Sequence, residues 1–268
     1  MKNLTAIFLT IFLSVNLFSQ TNMIIRKTDT SIISIPISEI DSVYFEEEGN
    51  VFTCGDLITD IDGNTYNTIQ IGNQCWMSDN LKATHYSNGI SIPLVTDTTG
   101  WAELNNTDDA YCYYNNNANG EADIYGALYT WVAAMGDNAI SSNSNPSGVQ
   151  GVCPVGWHLP SNLEWSELTD YVGGEDVAGG KMKEVGYEHW SEPNTAADNS
   201  FGFTALPNGI RYSFNGDYVQ LTTYSYWWSA TESMSASAWY CHLSYAYEQS
   251  DIFDYAKSSG IAVRCVKD

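Results

Sequence analysis

The middle of the chain is organised by the stretch CPVGWHLPSNLE, residues 153–164. Its last four residues, Ser161 to Glu164, have the form of a capping box, in which two side chains satisfy free backbone N–H groups at a helix start. Apolar residues follow at helical spacing: Trp165, Leu168 and Val172. A glycine pair at 173–174 then ends the pattern, so the sequence predicts an amphipathic helix here.

Two further helices are predicted. Over residues 124–135, apolar side chains share one helix face: Ile124, Leu128, Trp131, Val132 and Met135. Their spacing predicts one helix that Gly136 ends. A third, short helix is predicted over 178–185, although Gly179 and Gly180 weaken its helical propensity.

Strand patterns dominate the remainder. Alternating residues predict a strand over 66–71 that turns at Gly72-Asn73, and a hairpin with a turn at Asn215-Gly216. Further strands are expected over 226–229, 239–247 and 261–266. Because the helices lie in the middle of the chain and the antiparallel strands at its end, without alternating, we predict an α+β fold with two to three helices and a C-terminal antiparallel sheet.

The first fifty residues differ from the rest. Residues 1–19 combine Lys2, a short apolar run and a small residue at Ser19, as a secretory signal peptide does. Residues 20–50 predict a small β appendage and an acidic linker, and residues 51–268 the main domain. Alternatively, the two early strands form an edge pair on that domain. No later apolar run could span a bilayer, so we expect a protein that is secreted or lies in the periplasm or at the cell surface.

Composition limits the partners. The chain has 268 residues with 10 Lys+Arg and 32 Asp+Glu, a net charge of −22, and loss of Lys2 with the signal peptide gives 9 − 32 = −23. It lacks the clustered cations that bind a phosphate backbone, so nucleic acid is not expected as a partner. The hydrophobic content of 44% predicts a packed core rather than disorder.

Six cysteines are present: Cys54, Cys75, Cys112, Cys153, Cys241 and Cys265. None forms a C-x-x-C pair, and an exported protein meets an oxidising compartment, so disulfides are favoured over a zinc site. The spacing alone leaves all pairings open.

Seven ordered motifs resemble one family. They are DIDGNTY at 60–66, IGNQCWM at 71–77 with Asn80-Leu81, YGALYTW at 125–131, CPVGWHLPS at 153–161, GFTALP at 202–207, WWSATE at 227–232 and VRCV at 263–266. In this order they resemble the Fibrobacter succinogenes major paralogous domain, over residues 54–268. That family is thought to be similar to C-type lectin-like domains, including the branch of the formylglycine-generating enzymes and of the hypervariable ligand-binding proteins of diversity-generating retroelements.

The resemblance implies a disulfide pattern and a scaffold. The C-type lectin pattern implies a bond between Cys153 and Cys265, and Cys112–Cys241 and Cys54–Cys75 are then the remaining pairs. The family carries no established reaction, so the resemblance implies export and a binding scaffold.

Candidate chemistry is sparse. The chain has no phosphate-binding, serine-hydrolase or zinc-protease motif. Asp60-x-Asp62-x-Asn64 resembles a calcium loop, but it lacks the glycine and glutamate of an EF-hand, so a turn is the better interpretation. Glu192-Pro193-Asn194 matches the tripeptide by which calcium-dependent lectins hold sugars, which makes Glu192 and Asn194 candidate Ca²⁺ ligands. Their partner motif, Trp-Asn-Asp, is absent from the sequence.

Aromatic residues concentrate after residue 200. Because strand neighbours face opposite sides, one of the adjacent tryptophans 227 and 228 is expected to be exposed. The candidate ligand-binding residues are Trp227, Trp228, Glu232, Trp239, Tyr245 and Tyr247. We therefore expect an exported, non-enzymatic module that binds a glycan or an extracellular protein through a Tyr/Trp-rich loop surface. The alternatives are an oxidase of the formylglycine-generating type, a calcium-dependent lectin and a structural envelope protein.

Overall fold

The computed structural model describes residues 22–26, 32–36, 52–136 and 140–267. The chain divides into two compact units, Met1–Val51 and Phe52–Asp268. The predicted signal peptide and acidic linker lie outside the described residues. In the first unit, β1 (Asn22–Arg26) and β2 (Ile32–Pro36) pair antiparallel, with Ile24 opposite Ser34.

The second unit contains the remaining elements. Its strands are β3 Ile58–Thr59, β4 Thr65–Tyr66, β5 Thr68–Ile71, β6 Gln74–Met77, β7 Tyr111–Tyr113, β8 Ala127–Tyr129, β9 Asn208–Arg211, β10 Tyr218–Leu221, β11 Tyr224–Met234, β12 Ser237–Ser244, β13 Ser250–Ala256, β14 Ile261–Ala262 and β15 Val266–Lys267. Its α-helices are α1 Thr98–Ala102, α2 Glu121–Tyr125, α3 Trp131–Met135, α4 Asn162–Tyr171 and α5 Glu175–Met182. Separate helices and sheets make the unit broadly α+β, and within the described residues no helix is long and apolar enough to cross a membrane.

A six-stranded sheet forms the centre of this unit. Its strand order is β13-β12-β11-β14-β8-β7, and every neighbouring pair is antiparallel except β11 and β14. Helices α3 and α4 both pack against β11. Alternate residues of β11 enter two different hydrophobic cores, with Trp228 in one and Trp227 in the other. The sheet therefore has a packed core on each of its faces.

The capping box at residues 161–164 is confirmed. Ser161 Oγ accepts a hydrogen bond from the Glu164 backbone N–H, and Glu164 Oε2 accepts one from the Ser161 N–H. Glu164 is fully buried, and its second oxygen lies 2.5 Å from His158 Nε2. Gly173 and Gly174 end the helix with positive φ angles, as the sequence predicts.

The single helix predicted over 124–135 is wrong. The segment contains α2, then β8, then α3, because Gly126 adopts a φ of 80° and ends α2. The Ala127 N–H then donates to Leu81 O, and β8 takes its place between β7 and β14. Thr130 starts α3, since its side chain accepts a hydrogen bond from the Ala133 N–H.

Two other predicted elements are displaced. The hairpin around Asn215-Gly216 exists, but β9 ends at Arg211 and β10 begins at Tyr218, so the turn is longer than two residues. Asn215 Oδ1 accepts a hydrogen bond from the Asp217 N–H within that turn. The third helix, α5, starts at Glu175, three residues before its predicted start.

A buried cluster joins distant segments around Arg264. Its Nε and Nη2 donate to Asn80 Oδ1 at 3.2 and 2.9 Å, and its Nη1 donates to Phe203 O. The guanidinium carbon lies 4.3 Å from the centre of the Phe203 ring. Trp227 Nε1 donates to the same Asn80 oxygen, while Asn80 Nδ2 donates to Tyr125 O. Burial lowers the pKa of Arg264 to about 9.

Two disulfides are present, Cys153–Cys265 and Cys54–Cys75. The expected third bond, Cys112–Cys241, is wrong, because both residues are free and buried. They lie on β7 and β12, which are four strand positions apart in the sheet. At about 4.8 Å per strand that separation is roughly 19 Å, whereas a disulfide needs Cα atoms within about 7 Å.

The two free thiols should be unreactive in the folded protein. Burial raises the pKa of Cys112 to about 11 and that of Cys241 to about 12, so little thiolate exists at neutral pH. We expect no alkylation of native protein and labelling of Cys112 and Cys241 alone after denaturation without reductant, measured by peptide mass mapping. Labelling of neither residue after denaturation would contradict this assignment.

Two glycines of one loop provide a matched test of backbone packing. Gly151 and Gly148 have φ angles of 55° and 69°, but an added Cβ would lie 2.0 Å from Ala134 O at Gly151 and meet nothing within 4 Å at Gly148. We expect Gly148→Ala to lower the unfolding free energy by about 1 kcal/mol through backbone strain alone. Gly151→Ala should cost about 2 kcal/mol more because of the clash. Urea denaturation measures both, and equal losses would contradict the close approach.

Candidate functional site

Aromatic side chains form a continuous surface on one side of the central sheet. The surface, called the aromatic face below, consists of Tyr212, Phe214, Tyr224, Tyr226, Tyr240, His242, Phe253 and Tyr255. Six of its members belong to β11, β12 and β13, and the other two belong to the turn after β9. It is the largest group of connected rings that the described residues place partly in contact with solvent.

The strand register brings these rings together. Tyr226 pairs with His242 across β11 and β12, and Tyr240 pairs with Phe253 across β12 and β13. Directly opposed residues of an antiparallel pair point to the same face of a sheet. The next residue but one in each strand extends the same face, which adds Tyr224 and Tyr255.

Ring contacts run without a gap across the face. Tyr212 stacks on Phe214 at 5.0 Å between centroids and lies 6.2 Å from Tyr255. At the other end His242 stacks on Tyr224 at 5.1 Å. Phe214 and Phe253 are 69% and 50% exposed, whereas Tyr226 and Tyr240 are buried beneath them. The face therefore presents apolar ring surface above a fixed aromatic base.

The electrostatics of this face keep its polar groups uncharged. Burial, and to a lesser extent the charges of neighbouring tyrosines, raises the pKa of Tyr226. Burial raises the pKa of Tyr240 to about 12. Burial lowers the pKa of His242 to about 4, and its Nδ1 has no hydrogen-bond partner among the described residues. Both hydroxyls and the imidazole are neutral at pH 7, so the face offers uncharged hydrogen-bonding groups beside its rings.

Asp251 adds an acidic group on the same side of the sheet as these rings. It pairs with His242 across β12 and β13, and burial raises the pKa of its carboxyl. A carboxylate at this position can accept hydrogen bonds from ligand hydroxyl groups.

Trp227 and Trp228 do not belong to this surface, which corrects the prediction that one of them is exposed. Both are fully buried, because each face of β11 is covered by a core. Trp227 Nε1 donates to Asn80 Oδ1, and Trp228 Nε1 donates to Tyr129 O at 2.8 Å. They hold the sheet in place and cannot stack on a ligand.

The other predicted ligand residues are scattered. Trp239 is half-buried and lies on the face of β12 opposite to the aromatic face. The Glu232 carboxylate lies 3.0 Å from Lys257 Nζ. Tyr245 makes an edge contact with Tyr224 at 6.2 Å, so it borders the aromatic face. Tyr247 is exposed in the turn after β12, and its carbonyl oxygen accepts a hydrogen bond from Lys183 Nζ.

The candidate calcium ligands point in different directions. Glu192 is exposed, and its bond to Pro193 is cis. Asn194 is buried and donates both hydrogens of Nδ2 to the carbonyls of Glu184 and Gly186. Nowhere in the described part of the chain do three or more His, Cys, Asp or Glu side chains converge as metal ligands. The Asp60 to Asn64 segment is a turn, since Asp60 Oδ1 accepts hydrogen bonds from the Asp62 and Asn64 N–H groups.

A simple signal marks the aromatic face in the sequence. Four pairs of ring residues are each separated by one position: Tyr212 and Phe214, Tyr224 and Tyr226, Tyr240 and His242, Phe253 and Tyr255. A spacing of two places both side chains on one face of an extended segment. The tryptophans predicted as ligand residues, at positions 227, 228 and 239, do not share this spacing.

The family follows from a comparison with known protein families. The family model of the Fibrobacter succinogenes major domain matches residues 69–267. The chain belongs to this family. The match includes every residue of the aromatic face. A search of curated proteins and a search of solved structures each found no match.

His242 gives this family member a specific pH dependence. Its folded pKa of about 4 lies below the ordinary value of 6.5, so the unfolded chain binds a proton at His242 more readily. Its contribution to stability is therefore complete above about pH 6.5 and is lost as the pH falls towards about 4. We expect His242→Phe to gain melting temperature relative to wild type on going from about pH 7.5 to about pH 4.5. A constant difference between the two proteins would contradict the burial of a neutral imidazole.

Proposed function

We propose that this protein is an exported, non-enzymatic binding module that recognises a neutral glycan through the aromatic face. The observation that carries the proposal is the continuous band of rings from Phe214 to Phe253, partly open to solvent on a rigid sheet. Flat aromatic rings bind well to surfaces that are apolar on one side and hydrogen-bonding at the edges, and a sugar ring has such a surface.

The surrounding groups support a sugar over other ligands. Tyr212, Tyr224 and Tyr255 are half-buried, so their rings are held in place while an edge remains accessible. Fixed rings lose little conformational freedom on binding, which lowers the entropic cost of association. The Asp251 carboxylate can accept hydrogen bonds from hydroxyl groups, and in this position it disfavours an anionic ligand.

Several features support the non-enzymatic and exported parts of the proposal. A formylglycine-type oxidase needs reactive thiols, whereas four cysteines are in disulfides and the other two are buried. The disulfides also favour an oxidising compartment, in agreement with a signal peptide at residues 1–19.

We also propose a C-type lectin-like architecture. The Cys153–Cys265 bond, which joins the segment before α4 to the segment before the last strand, supports this assignment.

The proposal is tested by glycan binding with two variants of the aromatic face. Phe214→Ala and Phe253→Ala each remove an exposed ring without opening a fully buried site. On a glycan array, and then by calorimetry with the glycan identified, each should weaken binding roughly tenfold, in the range measured for removing one aromatic contact. Binding should not require calcium, so a chelator should leave it unchanged.

Tyr187→Ala is the matched control. Tyr187 is 59% exposed and belongs to no ring contact among the described residues. This variant should bind as the wild type does. An array with no neutral-glycan signal, or an equal loss for all three variants, would overturn the proposal. Retention of an extracellular protein with salt-sensitive binding would instead identify a basic protein as the ligand.

A further inference from the structure

Two cavities lie next to each other on a part of the surface that includes no residue of the aromatic face. The larger has a volume of about 650 Å³ and the smaller about 300 Å³. Ser87 lines both of them, and the consecutive residues 147–155 supply one wall that runs from the larger cavity into the smaller. Together they form an elongated cleft with two compartments, which is called the cleft below.

The two compartments differ in chemistry. Apolar side chains dominate the smaller compartment, with Ile61, Val152 and Val155 among them. Hydroxyl and amide side chains dominate the larger one: Ser87, Asn88, Ser141, Ser142, Ser147 and Gln150. A ligand that fills the cleft would therefore be apolar at one end and hydrogen-bonding at the other.

His85 occupies the apolar compartment with a fixed orientation. Its Nδ1 lies 2.5 Å from Asp62 Oδ1, and the other Asp62 oxygen accepts hydrogen bonds from the Thr84 and His85 N–H groups. Nε2 of His85 makes no hydrogen bond within the described part of the chain. Since Nδ1 is engaged by the carboxylate, Nε2 is the ring nitrogen left to form a hydrogen bond with a ligand.

The Asp62 carboxylate is suited to hold the His85 ring in this orientation. Burial acts to raise its pKa, but hydrogen bonds from Thr84 and His85 outweigh burial, so the pKa lies below its ordinary value. Asp62 is therefore ionised at neutral pH and keeps the imidazole oriented. The neighbouring Asp60 is already engaged by Asn64 and by the hydroxyl of Tyr66.

We propose that the cleft is a second ligand site, which binds a small uncharged glycoside with an apolar aglycone. The aglycone occupies the compartment at Val152 and Val155, and the sugar occupies the compartment at Ser142 and Gln150. His85 Nε2 forms a hydrogen bond with a hydroxyl group of the ligand. Cavities of several hundred Å³ are typical of small-molecule sites.

Charge also selects the ligand. Asp60 and Asp62 both lie beside the apolar compartment, and none of the described residues that line either compartment is Lys or Arg. An anionic ligand would meet two carboxylates without a compensating cation. An uncharged glycoside avoids that cost, and its hydroxyl groups match the serine and amide side chains.

The experiment uses 4-nitrophenyl β-glucoside, β-galactoside and β-xyloside at millimolar concentration with the full chain. Methyl groups of Val152 and Val155 and the ring of His85 are followed by NMR, and affinity is measured by titration. At least one aryl glycoside should shift these signals. The matching methyl glycoside, which lacks the aryl group, should bind roughly tenfold more weakly, since about 1.4 kcal/mol of apolar burial is lost.

Variants identify the role of His85. His85→Phe should weaken binding of the aryl glycoside roughly tenfold, because it keeps a ring of similar size but removes the nitrogen that bonds the ligand. His189→Phe is the matched control, because His189 also pairs with a carboxylate, that of Glu184, but lies outside the cleft. Phe253→Ala should leave this binding unchanged, so failure of the aromatic face and failure of the cleft are distinguishable. Absence of shifts at Val152 with all three glycosides, or equal losses for the two histidine variants, would overturn the proposal.

Discussion

The buried charge of Arg264 is the constraint on which the main domain depends. A cation moved out of water is costly unless its N–H groups are satisfied, and here neutral groups satisfy them: Asn80 Oδ1, the Phe203 carbonyl and the rings of Phe203 and Trp227. These groups come from segments far apart in the chain. The guanidinium is therefore solvated only when the loops at residues 80 and 203, the strand β11 and the C-terminal segment have all assembled.

This cluster also explains the position of the surface that we propose as a ligand site. Since Trp227 is held by Asn80 and Trp228 by Tyr129, the centre of β11 belongs to the two cores. The aromatic face lies where the sheet extends away from these two tryptophans, at the start of β11, on β12 and β13 and in the turn after β9. The aromatic face is thus a consequence of the packing: its buried base, Tyr226 and Tyr240, continues one core outwards to rings that solvent can reach.

The sequence alone predicts features that depend on residues close together in the chain. The family resemblance adds features that it implies. The capping box at Ser161 and the turn at Gly72 are local, and the Cys153–Cys265 bond follows from the resemblance. The prediction of one helix over 124–135 was wrong because Gly126 ends α2 and the next residues pair with β7. That pairing is with a strand distant in sequence, so the local periodicity does not indicate it. The predicted Cys112–Cys241 bond was wrong because the spacing of cysteines along the sequence does not indicate the order of strands in the sheet. The expected exposure of Trp227 or Trp228 was wrong, because exposure depends on what covers each face of a strand.

The positive residues decide what kind of ligand such an acidic molecule can accept. Lys183, Arg211, Lys257 and Arg264 are all buried, and carbonyl oxygens and aromatic rings supply most of their contacts. Most carboxylates, in contrast, lie at the surface. Among the described residues, Asp60 and Glu164 are the only buried acids. The surface is therefore more acidic than the net charge of −22 indicates. Within a Debye length of about 8 Å this field repels anions, so neutral ring stacking and hydrogen bonding to hydroxyl groups are the interactions left to select a ligand.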